Sequence, residues 1–406
     1  MYILDGVLFP FEVLTENFNE HDKMYQVLQE VDCHALDRLN SYNDGPGRKA
    51  YDRQALFRAL VLKKLMSLSS TKSLVKCLTY SPLLAHWCGF DIMRRTPSES
   101  VFSRFEKELI KPALQKELSD ICIGLAKQLL SLTGSNGEVV LDSTDITAVE
   151  CPDKDSDSGA AFGHRTASSG ETEIFYGYKL HLAAVNTKYG PIPLSARLAP
   201  ANFSDYDFAQ KLMKESCYLH NQSLGFAPRY YLMDAGYDAE YMYTQALALH
   251  GQAIINLNHR GKKGSYEEHT DDGTPFCPAK IPMIYYGAEK ENLTNKFRCP
   301  KACGQQVECN NECGCTSSYG YVKRVSVKEN PRMFCIPHRD SRLWKKLYRR
   351  RTSIERLFSV LKGHLYMDRL TKRGIDKTFT DVMVCLITFL TVTLVQIYSD
   401  LLAAAA

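Results

Sequence analysis

From Gly134 onward the chain reads as a series of short β-prone runs, and two of them stop on an acid. EVVLD ends at Asp142 and YYLMD ends at Asp234. Between them lie FYGYKLHLAAVN and PIPLSARLAP, joined by the turn signal at 186–190, and then a helical stretch around 205–219. QAIINLN (252–258) adds one more β run. The order β-β-β-α-β-α/β describes a mixed α/β sheet. An acid at the end of a buried strand is held rigidly at the sheet edge. Two such strands can bring their carboxylates together, as a hard-oxygen site for Mg²⁺ or Mn²⁺ requires. Each acid also has a plainer reading: Asp142 and Asp234 could be turn residues, and Asp145 rivals Asp142 three positions on.

A third acid stands out by its surroundings. In YRRRTSIERLFSVLKGHL (348–365), Glu355 lies among Arg349, Arg350, Arg351, Arg356 and Lys362. One acid cannot pair with five bases through ordinary i,i+4 contacts. At about 100° per residue on a continuous helix, Tyr348, Arg351, Glu355 and Lys362 share an arc of roughly 60°. Ile354, Leu357, Phe358 and Leu361 form the adjacent apolar face that packs the helix on the sheet. A metal-binding Glu flanked by phosphate-binding Tyr, Arg and Lys answers the pattern. Arg350 and Arg356 extend the basic field, and Trp344, one turn before Tyr348, suits either base stacking or core packing.

Composition places the chain among ordinary globular proteins, with 45% hydrophobic and 24% charged residues among 406. Its net charge of +4 conceals a strong asymmetry. Residues 1–47 carry two basic and nine acidic side chains, residues 48–111 thirteen and five, and residues 321–373 sixteen and four. Two separated basic blocks suggest a composite surface for nucleic acid, against the plainer alternative of solvated helical faces. Helical periodicity runs from Asp52 to Lys111, in segments starting near Asp52, Ser70 and Pro97. The start of the chain lacks a basic n-region and is expected not to be a signal peptide. VMVCLITFLTVTLVQIY (382–398) is short for a span and is expected to be a buried terminal helix rather than a membrane segment. The Gly/Ser/Asp-rich stretch 151–173 reads as a loop.

The spacing Y-x2-R-x3-E-x6-K at 348–362 resembles the signature of bacterial insertion-sequence transposases with a DDE catalytic core. LDST around Asp142, GYKLHL at 177–182, LAPANFSDYDF at 198–208 and MDAGYD around Asp234 match at the corresponding places. The resemblance covers about 50–259 and 340–375. It implies a ribonuclease-H-like mixed sheet core, preceded by an N-terminal helical domain, with Asp142, Asp234 and Glu355 as a triad holding two Mg²⁺ (or Mn²⁺) ions. It implies cleavage at the ends of an insertion sequence and transfer of the freed 3′-hydroxyl to target DNA. Tyr348, Arg351 and Lys362 then contact DNA near the cleaved end, and Lys179 and His181 lie beside the site. The partner is double-stranded DNA, with no membrane. A homodimer or higher oligomer on DNA is expected, in the bacterial cytoplasm at the nucleoid. A transposase-derived DNA-binding protein without catalysis and a metal-dependent nuclease without strand transfer are the alternatives.

About 120 residues separate Asp234 from Glu355, more than such a core needs. The resulting division is an acidic segment (1–47), a helical, DNA-binding domain (48–130), a first core part (131–259), a Cys-rich insertion (260–340) and a second core part (341–402). Seven of the fourteen cysteines fall between Cys277 and Cys335. Thiolates at such spacings can make a tetrahedral zinc site, against the alternative of reduced thiols in a small β domain. Cys299, Cys303, Cys309 and Cys313 are the first ligand set, and His338 is an alternative.

Overall fold

The structure, a computed structural model, describes residues 2–4, 7–9, 22–31, 36, 50–152, 159–166, 170–258, 268–309 and 318–405. Most of the acidic N-terminal segment, and Cys313 with it, lie outside these residues. A short hairpin, β1 (Tyr2–Leu4) and β2 (Val7–Phe9), precedes six helices among the described residues. These are α1 (Lys23–Glu30), α2 (Arg53–Leu65), α3 (Thr71–Tyr80), α4 (Pro82–Trp87), α5 (Glu99–Leu109) and α6 (Pro112–Thr133). Asp52 and Ser70 cap α2 and α3 by accepting from backbone amides, as their places before the apolar periodicity suggest. Helices α4 and α6 each begin on a proline, whose missing N–H is free of cost at that position.

Strands β3 (Glu138–Thr147), β5 (Thr172–Thr187) and β6 (Gly190–Pro200) form an antiparallel meander. After α7 (Asp205–Leu224) the chain returns as β7 (Tyr230–Leu232), parallel to β3. It passes α8 (Glu240–Ala248) and adds β8 (Gln252–Ile254), parallel to β7. The order β6-β5-β3-β7-β8, three antiparallel strands followed by two parallel ones, is that of a ribonuclease-H-like core. The expected loop at 151–173 is partly strand: β4 (Ala161–Thr166) pairs with 172–177 of β5. Phe162 and Tyr176 hold it through a ring contact of 5.2 Å, a pairing that the polar residues around it concealed.

Beyond the core lies a three-stranded antiparallel sheet of β9 (Ile284–Glu289), β10 (Thr294–Arg298) and β11 (Val322–Ser326), with its own small core around Phe297. The chain then enters α9 (Arg342–Arg349), α10 (Ser353–Gly363) and α11 (Ile375–Ala405). Helix α11 is long and apolar enough to cross a membrane, but 67% of its most apolar window is buried. Its Val382, Leu386, Leu390 and Leu394 belong to the same continuous core as the sheet and α1–α6.

Part of the first basic block points inward. Lys63 and Lys64 of α2 are buried, and the Lys64 ammonium meets Asp381 of α11 at 2.6 Å. Arg53 pairs with Glu108. The count of basic residues along the chain therefore overstates the charge offered to a ligand there.

Two buried groups, Asp238 of the core and Arg339 of the insertion, tie the insertion to the core. Asp238 is buried and accepts Arg332 through both oxygens, at 3.0 and 2.7 Å. It also accepts the backbone N–H of Asn258 at 2.8 Å and the Tyr243 hydroxyl at 2.9 Å. The neighbouring Arg339 is buried as well and donates to the carbonyls of Met333 and Arg332 and to Tyr243.

Candidate active site

Pairing of β3 with β7 runs through Val140 and Leu232, so two residues further along each strand Asp142 and Asp234 emerge side by side. Parallel neighbours lie about 4.8 Å apart, which places Asp234, just past the end of β7, beside Asp142. The strand expected to stop at Asp142 runs on to Thr147, so Asp142 lies mid-strand, paired with Leu182 of β5. Asp234 is held by its own turn. It caps the short 3₁₀ segment Ala235–Tyr237 and accepts the Gly236 N–H at 2.8 Å. A Cβ at Gly236 would stand 2.9 Å from that same oxygen, so a side chain there would displace the carboxylate. Asp142 Oδ1 accepts from the Ser143 amide at 2.8 Å.

Burial, and next the neighbouring charge of Asp234, push the Asp142 carboxyl up to about 7, against the Ser143 amide and Arg351, which favour its ionised form. Asp234 is raised in the same way, chiefly by burial. Two half-buried carboxylates of like charge form a site that a hard divalent cation would relieve, and all the donors are carboxylate oxygens.

Glu355 reaches this place through Arg351. The guanidinium lies 2.7 Å from Glu355 Oε1 and 3.5 Å from Asp142 Oδ2, joining the helix acid to the strand acid. Burial opposes its charge, but Glu355 and then Asp142 outweigh that and hold the Arg351 pKa above its ordinary value. Among the described residues, no three Asp, Glu, His or Cys side chains are arranged to hold a metal ion, and the cation between these acids is the guanidinium.

The helix expected to run unbroken through this region is interrupted. Between α9 and α10 lies a 3₁₀ turn, Arg350–Thr352. Asn186, at the end of β5, explains it. Its amide donates to the Arg350 carbonyl at 3.4 Å, while its oxygen accepts the Ser353 hydroxyl at 2.6 Å. A side chain inserted in this way competes with the i→i−4 ladder and tightens the turn. Arg350 itself is ion-paired with the buried Glu138 at the start of β3, so this Arg anchors the helix to the sheet.

The remaining cations of the helix divide by exposure. The Lys362 ammonium donates to the Asp145 carbonyl at 2.6 Å and lies 3.5 Å from its carboxylate, which Arg165 also binds at 2.8 Å. Asp145, the rival of Asp142, is thereby committed to two cations. Arg356 is exposed. Tyr348 is half-buried with Arg351 5.9 Å from its ring centre. Trp344 is buried and stacked on Tyr348 at 5.0 Å, facing the core rather than solvent.

One residue absent from the sequence-based set lies at the centre of three motifs. Asp205, the first residue of α7, accepts the Ser143 hydroxyl at 2.6 Å and lies 3.3 Å from the Lys179 ammonium and 3.6 Å from His181 Nδ1. It also contributes to the upward shift of both Asp142 and Asp234. His181 is fully buried against Phe208, and burial lowers its pKa to about 4, so it is neutral at pH 7. Tyr237 is a further neighbour: burial, and then the charges of Asp205, Asp142 and Asp234, raise its hydroxyl pKa well above the ordinary value. In the sequence Asp205 looks like any acid in a first helical turn. The clue was its place inside a motif, which helix capping alone does not require.

In the insertion, Cys299 is buried and Cys303 and Cys309 are half-buried. Cys277 and Cys335 are buried, and the His338 ring is fully buried between Tyr285 (5.2 Å, stacked) and Phe297 (5.1 Å, edge-on). His338 is therefore committed to aromatic packing.

Residues 134–390 match the family described as "Transposase DDE domain", and residues 12–108 match one described as "Transposase domain". The first match spans more than half of the sequence, and the chain belongs to the DDE-domain transposases. No curated protein matches it. Among solved structures it is similar to a chain of the Drosophila P element transposase strand transfer complex, at 13% identity over 55% of this chain and 47% of that chain. The chain thus spans less than half the length of that protein. At a TM-score of 0.28 the likeness carries no argument about the site.

Proposed function

We propose that this transposase cleaves DNA at the ends of its insertion sequence and joins the freed 3′-hydroxyl ends to target DNA, with Asp142, Asp234 and Glu355 as the acids that hold two Mg²⁺ or Mn²⁺ ions. The observation that most supports this is the strand register bringing Asp142 beside Asp234, with Arg351 linking Asp142 to Glu355. Such ions activate an attacking oxygen and stabilise a leaving one in phosphoryl transfer. The protein supplies the rest by holding Asp142 within β3, Asp234 just past β7 and Glu355 on α10, and by gripping the DNA backbone through Tyr348, Arg351, Lys362 and the exposed Arg356. Lys179, paired with Asp205, and the buried His181 flank the site, and Trp344 buttresses Tyr348. Arg350 acts on the same grip by fixing the turn that aims Arg351. Two ends must be brought together before joining, so the working form on DNA is a homodimer or larger, acting in the bacterial cytoplasm at the nucleoid.

A labelled duplex carrying the element's end tests this directly. Nicking at the end should occur with Mg²⁺ and not with EDTA, and a pre-cut end with a free 3′-hydroxyl should join to plasmid DNA. Cutting without joining would leave a nuclease, and tight binding without cutting would leave a DNA-binding protein.

We propose a structural zinc ion for the insertion on Cys299, Cys303, Cys309 and Cys313, of which the first three do not form a metal-holding group among the described residues. The purified protein should contain one zinc per chain by elemental analysis, and Cys299→Ser should lose it. A metal-free wild type would remove zinc from the account.

A further inference from the structure

Of the basic side chains that α9, α10 and the turn between them direct at the sheet, each already has an acid. Arg350 is paired with Glu138, Lys362 with Asp145, and Arg351 with Asp142 and Glu355 together. The first two pairings lie outside the candidate triad. The third lies within it. The Arg351 side chain is only 17% exposed, whereas that of Glu355 is 51% exposed, so the guanidinium sits inside the site and the helix acid closes over it from the solvent side. A guanidinium that bridges two carboxylates takes up acceptor lone pairs and presents positive charge, and both effects oppose entry of a divalent cation. DNA carries the group that competes best for that guanidinium, because phosphate oxygens accept the same bidentate fork.

We propose that Arg351 is an internal counter-ion that couples metal loading to DNA binding: in the free protein it neutralises Asp142 and Glu355 and keeps the ion out, and a backbone phosphate draws it off. This rests on the reading above that these two acids are metal ligands. Arg351 thereby acts in both states, holding the acids when the site is idle and the DNA when it is engaged. Because linkage is reciprocal, metal must tighten DNA binding by the same factor that DNA tightens metal binding. The free protein would then carry little bound metal, and the loaded site would assemble where a DNA end is already in place.

Mn²⁺ binding to the full chain, followed by paramagnetic resonance without any turnover, separates the possibilities. Without DNA, wild type should bind Mn²⁺ weakly and Arg351→Ala about tenfold or more tightly, the factor expected for losing one charge-assisted contact. Arg351→Lys covers the case in which the alanine variant fails to fold. Its single ammonium cannot span both carboxylates, and it should also bind Mn²⁺ more tightly than wild type. Saturating duplex with the element's end should tighten wild type by a similar factor and change Arg351→Ala little. Equal Mn²⁺ affinity of wild type and both variants without DNA would overturn the coupling and leave the metal reading intact. If Glu355→Gln in the Arg351→Ala background bound Mn²⁺ as well as Arg351→Ala alone, the metal reading itself would fail.

Discussion

Glu355→Gln should abolish end cleavage, by about 10³-fold or more, on the scale of losing a main electrostatic element of a catalytic site. It should leave binding of the uncut end near the wild-type level. The substitution keeps the size and hydrogen-bonding reach of the side chain and removes only its charge. Glu355 is half-exposed and is ion-paired with Arg351 of the preceding turn, so little of the fold depends on it. Arg351→Ala should behave differently. It removes a phosphate ligand and a bridge between two acids, so both end binding and cleavage should weaken. The salt dependence of binding should lose about one unit of slope, the share of a single phosphate contact. Mobility shifts across a salt series, run beside cleavage assays, read both quantities. Equal loss of binding in the two variants would undo this division of labour.

The second large effect concerns stability. Asp381→Ala should destabilise the protein by about 3–5 kcal/mol in denaturant unfolding, the usual result of removing one partner of a buried pair. It would leave Lys64 buried without its carboxylate, next to a second buried lysine, Lys63. The pH dependence has a definite sign. Burial pushes the Asp381 carboxyl up, but Lys64, followed by Lys372 and Lys63, pulls it down further, and the net shift is below the ordinary carboxylate value. The folded protein therefore releases this proton more readily than the unfolded chain, whose pKa is about 3.9. The stabilisation is complete above that value and is lost as pH falls through the folded pKa. The gap between wild type and Asp381→Asn should narrow below about pH 4, and a gap that widened there would contradict the assignment.

Much of the core was legible because its signals are local. Apolar runs beside acids identified the strands, although β3 runs on past Asp142 to Thr147, and their order was enough for the sheet class. The capped starts of α2 and α3 were equally direct. What escaped depended on residues distant in sequence. The turn that breaks the Arg-rich helix is set by Asn186, more than 160 positions earlier, and helical periodicity carries no trace of it. Arg350 reads as one more base in a run until Glu138 is seen beneath it. Strand β4 hides in a polar stretch because its pairing, rather than its own residues, makes it a strand. Asp205 was passed over because acids at helix starts are common. Only its convergence with Ser143, Lys179 and His181 distinguishes it.

The carboxylate of Asp238 lies four positions after Asp234 and receives the chain on both sides of the insertion, at Asn258 on departure and at Arg332 on return. These two points also meet directly, since Arg332 donates to the Asn258 carbonyl at 3.2 Å. Seen from the sheet, the segment between them begins and ends at one carboxylate. Lengthening a closed loop costs only about 0.6 kcal/mol per doubling. Such a mounting makes the insertion a replaceable fitting: an appendage of different size or chemistry could be exchanged at this socket while the spacing of Asp142 from Asp234 stays as it is.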